Sequence, residues 1–322
     1  MTPLITVVLP VFGRPLFLSS AINSVLNQDD PDWELLIADD GSDSETYSLL
    51  QSYTFDRRIK LIRRQYIVGL FSNLNKTITE VSSPWQLILC SDDLLLPNAI
   101  TRLKQLTRTY RDCNLILSSF LSIGSSGEPK PDVNGLFYDR FSPETRVFSV
   151  NTLLPHLLHY GSVNGNITGM LIHRSLFIDA GNWRGSWSQS ADWEWLIRAT
   201  SAGSILVNRD PIAYVRIHPQ QLSVSNGRNT TEIHETSVVL HTLLLHPYLA
   251  NLPQRYEWAA HHSQFLLWNI FKHWRHTGFK ESLHSIIRIH MTVGIMRTLR
   301  ALITSMPGRI RNYKTGLPLL PR

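Results

Sequence analysis

The sequence predicts an α/β fold built on a parallel sheet, and three observations carry that expectation. Short unbroken apolar runs alternate with stretches of helical spacing from Ile5 to Val215. Two of those runs close on paired carboxylates: Leu35-Leu36-Ile37-Ala38 before Asp39-Asp40-Gly41-Ser42, and Leu87-Ile88-Leu89-Cys90 before Ser91-Asp92-Asp93. The composition, 43% hydrophobic and 17% charged over 322 residues, is that of a globular chain with enough length for a large core. Unbroken apolar runs of this length fit strands covered on both faces. Their alternation with helices favours parallel pairing through right-handed crossovers.

Ile5-Thr6-Val7-Val8-Leu9 is the first expected strand, ending at Pro10. Phe12-Gly13-Arg14-Pro15 has turn composition, and Leu18, Ala21, Ile22, Val25 and Leu26 give Leu16–Asn27 a helical stripe. Trp33–Ala38 is the second strand, Thr46–Tyr53 a short helix, Ile59–Ile62 the third strand and Leu70–Glu80 a helix. Trp85–Cys90 is the fourth strand. Pro97 opens a helix to Tyr110, since proline suits a first helical turn. Leu115–Phe120 is another strand. Residues 124–144 are rich in Gly, Pro, Ser and Asp and predict a long loop over a site. Helical and strand-like pieces resume at Leu153–Tyr160 and Gly169–His173. Asp192–Ser201 predicts a helix, and Ile205–Val207 and Ile212–Val215 predict two strands. A linker is expected over 225–231, with helices to the end.

In a parallel sheet, ligands sit outside the carboxyl ends of the strands. Both Asp pairs are therefore delivered to the edge where a ligand binds. Four carboxylates there repel one another unless a cation or donors offset them. A divalent metal carrying a diphosphate does so, and hard oxygen ligands suit Mg²⁺ or Mn²⁺.

Charge is unevenly placed. Residues 251–322 hold 11 Lys/Arg against 2 Asp/Glu, a net +9, which leaves the rest of the chain at −3. A basic tail on a mildly acidic body points to an anionic partner. Phospholipid or a phosphorylated acceptor fits better than nucleic acid, because no nucleic-acid motif or basic stripe accompanies it. Residues 255–306 predict two or three amphipathic helices. Ile286, Ile289, Val293, Met296, Leu299, Ile303 and Met306 form an apolar stripe among Arg288, Arg297 and Arg300, suited to an anionic membrane surface or to packing on the body. No run of 18 apolar residues occurs, the start Met1-Thr2-Pro3-Leu4 lacks the basic n-region of a signal peptide, and Cys90 and Cys113 make no disulfide framework. A cytoplasmic protein, peripheral on the inner face of the plasma membrane, is the expectation.

Six landmarks in order resemble the family 2 glycosyltransferases of GT-A fold: Pro10-Val11-Phe12-Gly13-Arg14, Asp39-Asp40-Gly41-Ser42, Ser91-Asp92-Asp93, Gly181-Asn182-Trp183, Ala191-Asp192-Trp193-Glu194-Trp195, and Arg216-Ile217-His218-Pro219 with Ser223. The resemblance covers residues 4–224. It implies a GT-A (Rossmann-like) domain over 1–224, with a basic, mainly helical extension over 225–322. The implied reaction moves a sugar from a nucleotide diphosphate donor to a hydroxyl of a glycan or lipid-linked acceptor, with inversion, in surface polysaccharide synthesis. Ile67, Ser72 and Ala191 depart from the family pattern, where an Asn, a basic residue and an acid are usual.

The resemblance assigns Asp93 to the cation, with His218 near the diphosphate or its metal, and Asp92 to the ribose or donor sugar. Asp92 or Asp93 would equally serve as a cap for the helix near Pro97. Asp39, Asp40 and Asn73 fall to the nucleotide, with Pro10, Val11 and Arg14 at the first strand's end; Asp-Asp-Gly-Ser is also good turn chemistry. Asp192 is the expected general base, taking the acceptor's proton as oxocarbenium character develops. An Asp opening an apolar helix is also a favoured N-cap. Trp183, Trp187 and Trp193 are candidate acceptor-lining rings, although core packing is the commoner fate of tryptophan. A nucleotidyltransferase is the first alternative, disfavoured by the single glycine after the first strand. The second is a non-catalytic nucleotide- or glycan-binding module, disfavoured because Asp92, Asp93 and Asp192 are all present.

Overall fold

The computed structural model describes residues 3–13, 15–164, 166–222 and 231–315, with backbone alone at 231, 275–277 and 311–315. Arg14, Ser223 and the expected linker and domain boundary around 224–230 lie outside the described residues. Two compact units are present. One takes in Met1–Ser149, Asn164–Ser186 and Arg198–His218, the other Val150–Val163, Trp187–Ile197 and Pro219–Arg322.

In the first unit the expected alternation is seen: β1 (Ile5–Val11), α1 (Pro15–Leu26), β2 (Trp33–Asp39), α2 (Ser44–Gln51), β3 (Ile59–Arg63), α3 (Leu70–Ile78), β4 (Trp85–Ile88), a two-residue β5 (Leu94–Leu95) and α4 (Ala99–Thr109). Next come β6 (Cys113–Ile123), α5 (Val133–Phe141), β7 (Arg146–Phe148), α6 (Val150–Tyr160, in the second unit), β8 (Met170–His173), α7 (Ser175–Asp179), α8 (Ala191–Ala202, which crosses the unit boundary) and β9 (Ser204–Arg216). The sheet order is β3-β2-β1-β4-β8-β6-β9-β5, with β7 on β9. β3, β2, β1 and β4 are mutually parallel, and Val8 lies opposite both Leu36 and Ile88. Every residue of β1 and β2 is buried, which is why their sequences are unbroken apolar runs rather than alternating ones. β8 runs antiparallel to both β4 and β6, so the other half of the sheet is mixed.

Three local expectations are corrected. Pro10 does not end β1, which runs on to Val11. The Val8 carbonyl faces β4 and the Val11 carbonyl faces β2, so the ring of Pro10 falls on the β4 side, past the last β1–β4 pair, where no ladder donor is needed. The predicted loop 124–144 contains α5. Its N-cap Asp132 accepts from the Gly135 amide at 2.7 Å, and Asn134, Tyr138 and Phe141 bury one face at helical spacing. The two strands predicted within 205–215 are one strand, β9, bulged against β6 where Pro211 withholds an amide.

The second unit is helical: α6, the start of α8, and helices Thr231–Leu245, Arg255–Thr277, Phe279–Thr292 and Ile295–Thr315. Ile233, Leu266, Leu267, Ile270, Ile289 and Leu302 form its core. The stripe predicted as one helix breaks at Gly294, whose φ of 96° favours glycine. Ile289 and Val293 pack inward, with Ile286 and Leu299 against the core, while Met296 and Ile303 are exposed.

His262 in this unit lies near the Leu158 carbonyl, 3.0 Å from Nε2, and beside the Trp193 ring. Desolvation, then the neighbouring His261, hold its pKa below the ordinary 6.5. The folded chain therefore keeps it neutral while the unfolded chain takes a proton below about pH 6.5, so acid favours unfolding. The thermal midpoint should fall between pH 7 and 5, and His262→Gln should flatten that slope. Parallel slopes for the two proteins would remove His262 as the cause.

Candidate active site

The parallel strands end together, and their following loops carry the acidic pairs. The Asp40 amide donates to the Val11 carbonyl at 2.8 Å, stitching the ends of β1 and β2. Asp39 Oδ1 accepts from the Ser42 amide at 2.9 Å, and its Oδ2 lies 3.5 Å from Arg63 Nε. Arg63 also donates to the Ser42 carbonyl and stacks on Tyr47. Asp40 accepts from the Val68 and Gly69 amides at 2.9 and 2.8 Å, one on each oxygen. Asn73 donates to the Ala38 carbonyl at 2.7 Å and accepts from Arg64 Nε at 3.0 Å. Asp39, Asp40 and Asn73 are all buried. These three expected nucleotide contacts tie the loop after β3 and the start of α3 to the end of β2.

The second acidic pair divides its work. Asp93 is 1% exposed. Its Oδ1 accepts from the Arg216 amide at 2.8 Å, and its Oδ2 accepts from Thr168 Oγ1 at 2.5 Å and from Asn166 Nδ2 at 3.4 Å. Burial raises its pKa, the adjacent Asp92 adds to this, and the Thr168 and Arg216 donors oppose it. Asp92 is half-buried, and its Oδ2 lies 3.0 Å from His218 Nε2. The imidazole is held against the Phe17 ring with centroids 4.8 Å apart. Arg216 Nε donates to the Asp92 carbonyl at 2.9 Å, its guanidinium lies over Phe17, and a further nitrogen reaches the Gly124 and Ser125 carbonyls. Asp93 therefore rests on protein donors, and Asp92 beside it pairs with the buried His218.

A divalent cation fits this edge. Cys90, Asp92 and Asp93 each offer a ligand atom, and those atoms lie within 4.8 Å of one another. Carboxylate oxygen and imidazole nitrogen suit Mn²⁺, and carboxylate oxygen suits Mg²⁺. Thr168 and Asn166 were not visible as site residues in the sequence. No motif spacing marks them, because they reach Asp93 from the stretch leading into the antiparallel β8.

Of the three candidate tryptophans, two are buried. Trp183 is buried, packed against Phe71 and Phe177, and its backbone exchanges two hydrogen bonds with the Asn75 side chain. Trp193 is also buried, donating from Nε1 to the Leu157 carbonyl at 3.1 Å. Both rings are packing elements rather than open stacking faces. Trp187 is half-buried. In the second unit, Asp192 is the second residue of α8 rather than its cap. The first bond of that helix runs from the Glu194 amide to the Ser190 carbonyl at 3.0 Å, and Asp192 Oδ2 accepts from Ser162 Oγ at 3.0 Å.

Parallel strands that end on two acidic pairs, with His218 beside Asp92, point to the class of fold. The chain belongs to glycosyl transferase family 2, whose model matches residues 6–176, just over half its length. A GalNAc(5)-diNAcBac-PP-undecaprenol beta-1,3-glucosyltransferase of Campylobacter jejuni is 35% identical over 105 residues, covering 32% of this chain and 34% of that protein. The chain thus spans about a third of that relative's length. Among solved structures, S. aureus TarS 1-349 in complex with UDP-GlcNAc is similar in fold, with a TM-score of 0.66 at 12% identity over 97% of this chain and 92% of that one. The mannosyltransferase PcManGT from Pyrobaculum calidifontis, in complex with GDP-Man and Mn²⁺, has a TM-score of 0.57 at 11% identity, over 95% and 87% of the two chains. The GT-A fold is therefore shared, including the helical C-terminal region.

The two aspartates should respond differently to truncation. Asp93→Ala leaves the Arg216 amide and the Thr168 hydroxyl without their buried acceptor, and should cost about 1–3 kcal/mol of stability. Asp92→Ala, at a partly exposed position, should shift the urea midpoint much less. Equal midpoints for the two variants would contradict the inward assignment of Asp93.

Proposed function

We propose that this chain is an inverting transferase that moves a sugar from a nucleoside diphosphate donor to a hydroxyl of a lipid-linked glycan acceptor, in polysaccharide assembly at an anionic membrane surface. The observation that carries the reading is the Asp92–His218 pair at the carboxyl edge of the parallel strands, backed by the buried Asp93. Asp92 and His218 would hold a Mn²⁺ or Mg²⁺ ion, with Asp93 fixing the two strand ends behind them. A bound divalent ion neutralises the diphosphate and stabilises it as leaving group. The first-strand end at Pro10 and Val11, with the braced Asp39–Asp40 loop, would seat the nucleoside. Asp192 would take the proton of the attacking hydroxyl as the bond from the anomeric carbon to the donor phosphate breaks. Its carboxylate is half-buried and oriented by Ser162. The undecaprenol-linked acceptor in the Campylobacter relative's name supports the lipid-linked part of the reading.

Among the described residues no helix is long and apolar enough to cross a membrane. The helix Phe279–Thr292 nevertheless has a second apolar face: Phe279, Leu283, Ile287 and Met291 are exposed at four-residue spacing, beside Lys280 and Arg288. With the tail's net +9, that face suits an anionic leaflet. The nucleotidyltransferase alternative gains nothing here, since the segment after β1 remains poor in glycine.

Two experiments test this. Asp192→Asn keeps the shape of the side chain but cannot accept the proton; turnover should fall by about two to four orders of magnitude while binding of the donor with Mn²⁺ persists. Near-normal turnover would leave Asp192 a structural residue. Replacing Phe279, Leu283 and Ile287 together by Ser should weaken binding to phosphatidylglycerol vesicles at least ~10-fold, since each buried apolar side chain is worth about 1.5–3 kcal/mol. Binding by the unaltered chain should also weaken as salt rises. Equal binding to purely zwitterionic vesicles would remove the electrostatic part of the reading.

A further inference from the structure

The stretch leading into α8 has its amides satisfied by a single side chain from a distant part of the sequence. Glu235, on the helix Thr231–Leu245, is 1% exposed. Its Oε1 accepts from the Ser188 amide at 2.9 Å, and its Oε2 accepts from the Gln189 and Ser190 amides, both at 2.8 Å. The neighbouring Thr236 hydroxyl lies 3.2 Å from Ser190 Oγ. Three successive amides converging on one carboxylate form an anion-binding nest. Here the anion is built into the chain. The Ser190 carbonyl accepts the first intrahelical bond of α8, so the clamp ends where the helix begins. Two residues on is Asp192, held in turn by Ser162.

The stretch from Gly181 to Ser190 contains no helix or strand, so its conformation rests on side-chain ties. A loop held at three consecutive amides has little freedom to shift the first turn that follows it. The Glu235 charge also sits at the N-terminal end of α8, where a negative group is favourable. Neither Glu235 nor the loop falls within the stretch matched by the family's model, 6–176.

We propose that Glu235 is a positioning residue for the acceptor-side base: it clamps the 188–190 loop and thereby fixes the register of Asp192, making the C-terminal helices part of the catalytic apparatus. The inference rests on the reading of Asp192 as base. It places the effect on turnover and not on donor affinity, because Glu235 acts through the loop it holds.

The test uses the full chain with Glu235→Gln, Glu235→Asp and Asp192→Asn. The probe donor is whichever UDP- or GDP-sugar gives the largest thermal shift with Mn²⁺, and turnover is its slow hydrolysis to water, read as nucleotide release. A glutamine keeps one acceptor oxygen but turns an NH₂ towards amide donors. Glu235→Gln should lower kcat about 10- to 100-fold, the scale of an approximately 1 Å misplacement, with donor KM unchanged. Hydrogen exchange at 188–190 should rise while the helix Arg255–Thr277 stays protected. Glu235→Asp keeps the charge on a shorter stem and should recover part of kcat. Faster exchange at 188–190 in either variant with kcat unchanged would overturn the proposal, as would a loss shared equally by donor affinity and global stability. If Glu235→Gln does not fold, Glu235→Asp carries the same two readouts. An inactive Asp192→Asn beside a fully active Glu235→Gln rejects the clamp alone. An active Asp192→Asn rejects the base assignment and the clamp with it.

Discussion

The buried carboxylate of Asp93 is the constraint on which the carboxyl edge of the sheet depends. A carboxylate taken out of water is costly unless hydrogen bonds replace its hydration. Here the replacements come from two separate places in the chain: the amide of Arg216 at the end of β9, and the stretch before β8, which supplies the hydroxyl of Thr168 and, at longer range, the side-chain amide of Asn166. The same Thr168 hydroxyl accepts from the Cys90 amide at 3.0 Å, so the end of β4 is tied in as well. Each partner is useless to Asp93 unless its strand ends at the right level. The ends of β4 and β9 and the stretch before β8 are therefore held together by one small network. His218 then falls two residues past Arg216, beside Asp92. The Asp92–His218 contact is thus placed by the network around Asp93.

The four carboxylates are buried to different degrees. Asp39 and Asp93 have no exposure to speak of, while Asp92 keeps part of its carboxylate in reach of solvent. Asp40 resembles Asp39 in burial but ties the loop after β3 through two amides. Its partner Gly69 has a φ of 85°, a conformation that most side chains resist. The departure at Ile67 from the family's usual Asn is thus accommodated in a loop whose path is dictated by Asp40 and Gly69 rather than by residue 67.

Much of this was legible in the sequence because burial on both faces of a parallel sheet leaves an unmistakable trace. β1, β2 and the acidic turns could be placed from their apolar runs alone. The inward turn of Asp93 could not, because adjacent aspartates look alike until their donors are known, and Thr168 and Asn166 lie more than seventy residues away in the chain. α5 was hidden by its glycine- and proline-rich surroundings. Its signal was present in Asp132 as cap and in the spacing of Asn134, Tyr138 and Phe141. The sequence left the tryptophans open between a sugar platform and core packing, and Trp183 and Trp193 are buried.

The tail shows how one periodicity can hide two faces. A repeat of three or four residues guarantees an apolar stripe but does not say which of two stripes is buried. In Phe279–Thr292, Ile289 faces the helical core, and Phe279, Leu283, Ile287 and Met291 remain outside it. Ser282 and Ser285 are buried as well, so small polar residues occupy the inner face where bulk was expected. Close packing of that face against neighbouring helices explains the choice: small side chains let helices approach, and the larger apolar ones are displaced outward. An isolated exposed Leu needs no explanation, but a row of four apolar side chains on a basic helix is a cost in water that a membrane surface would remove.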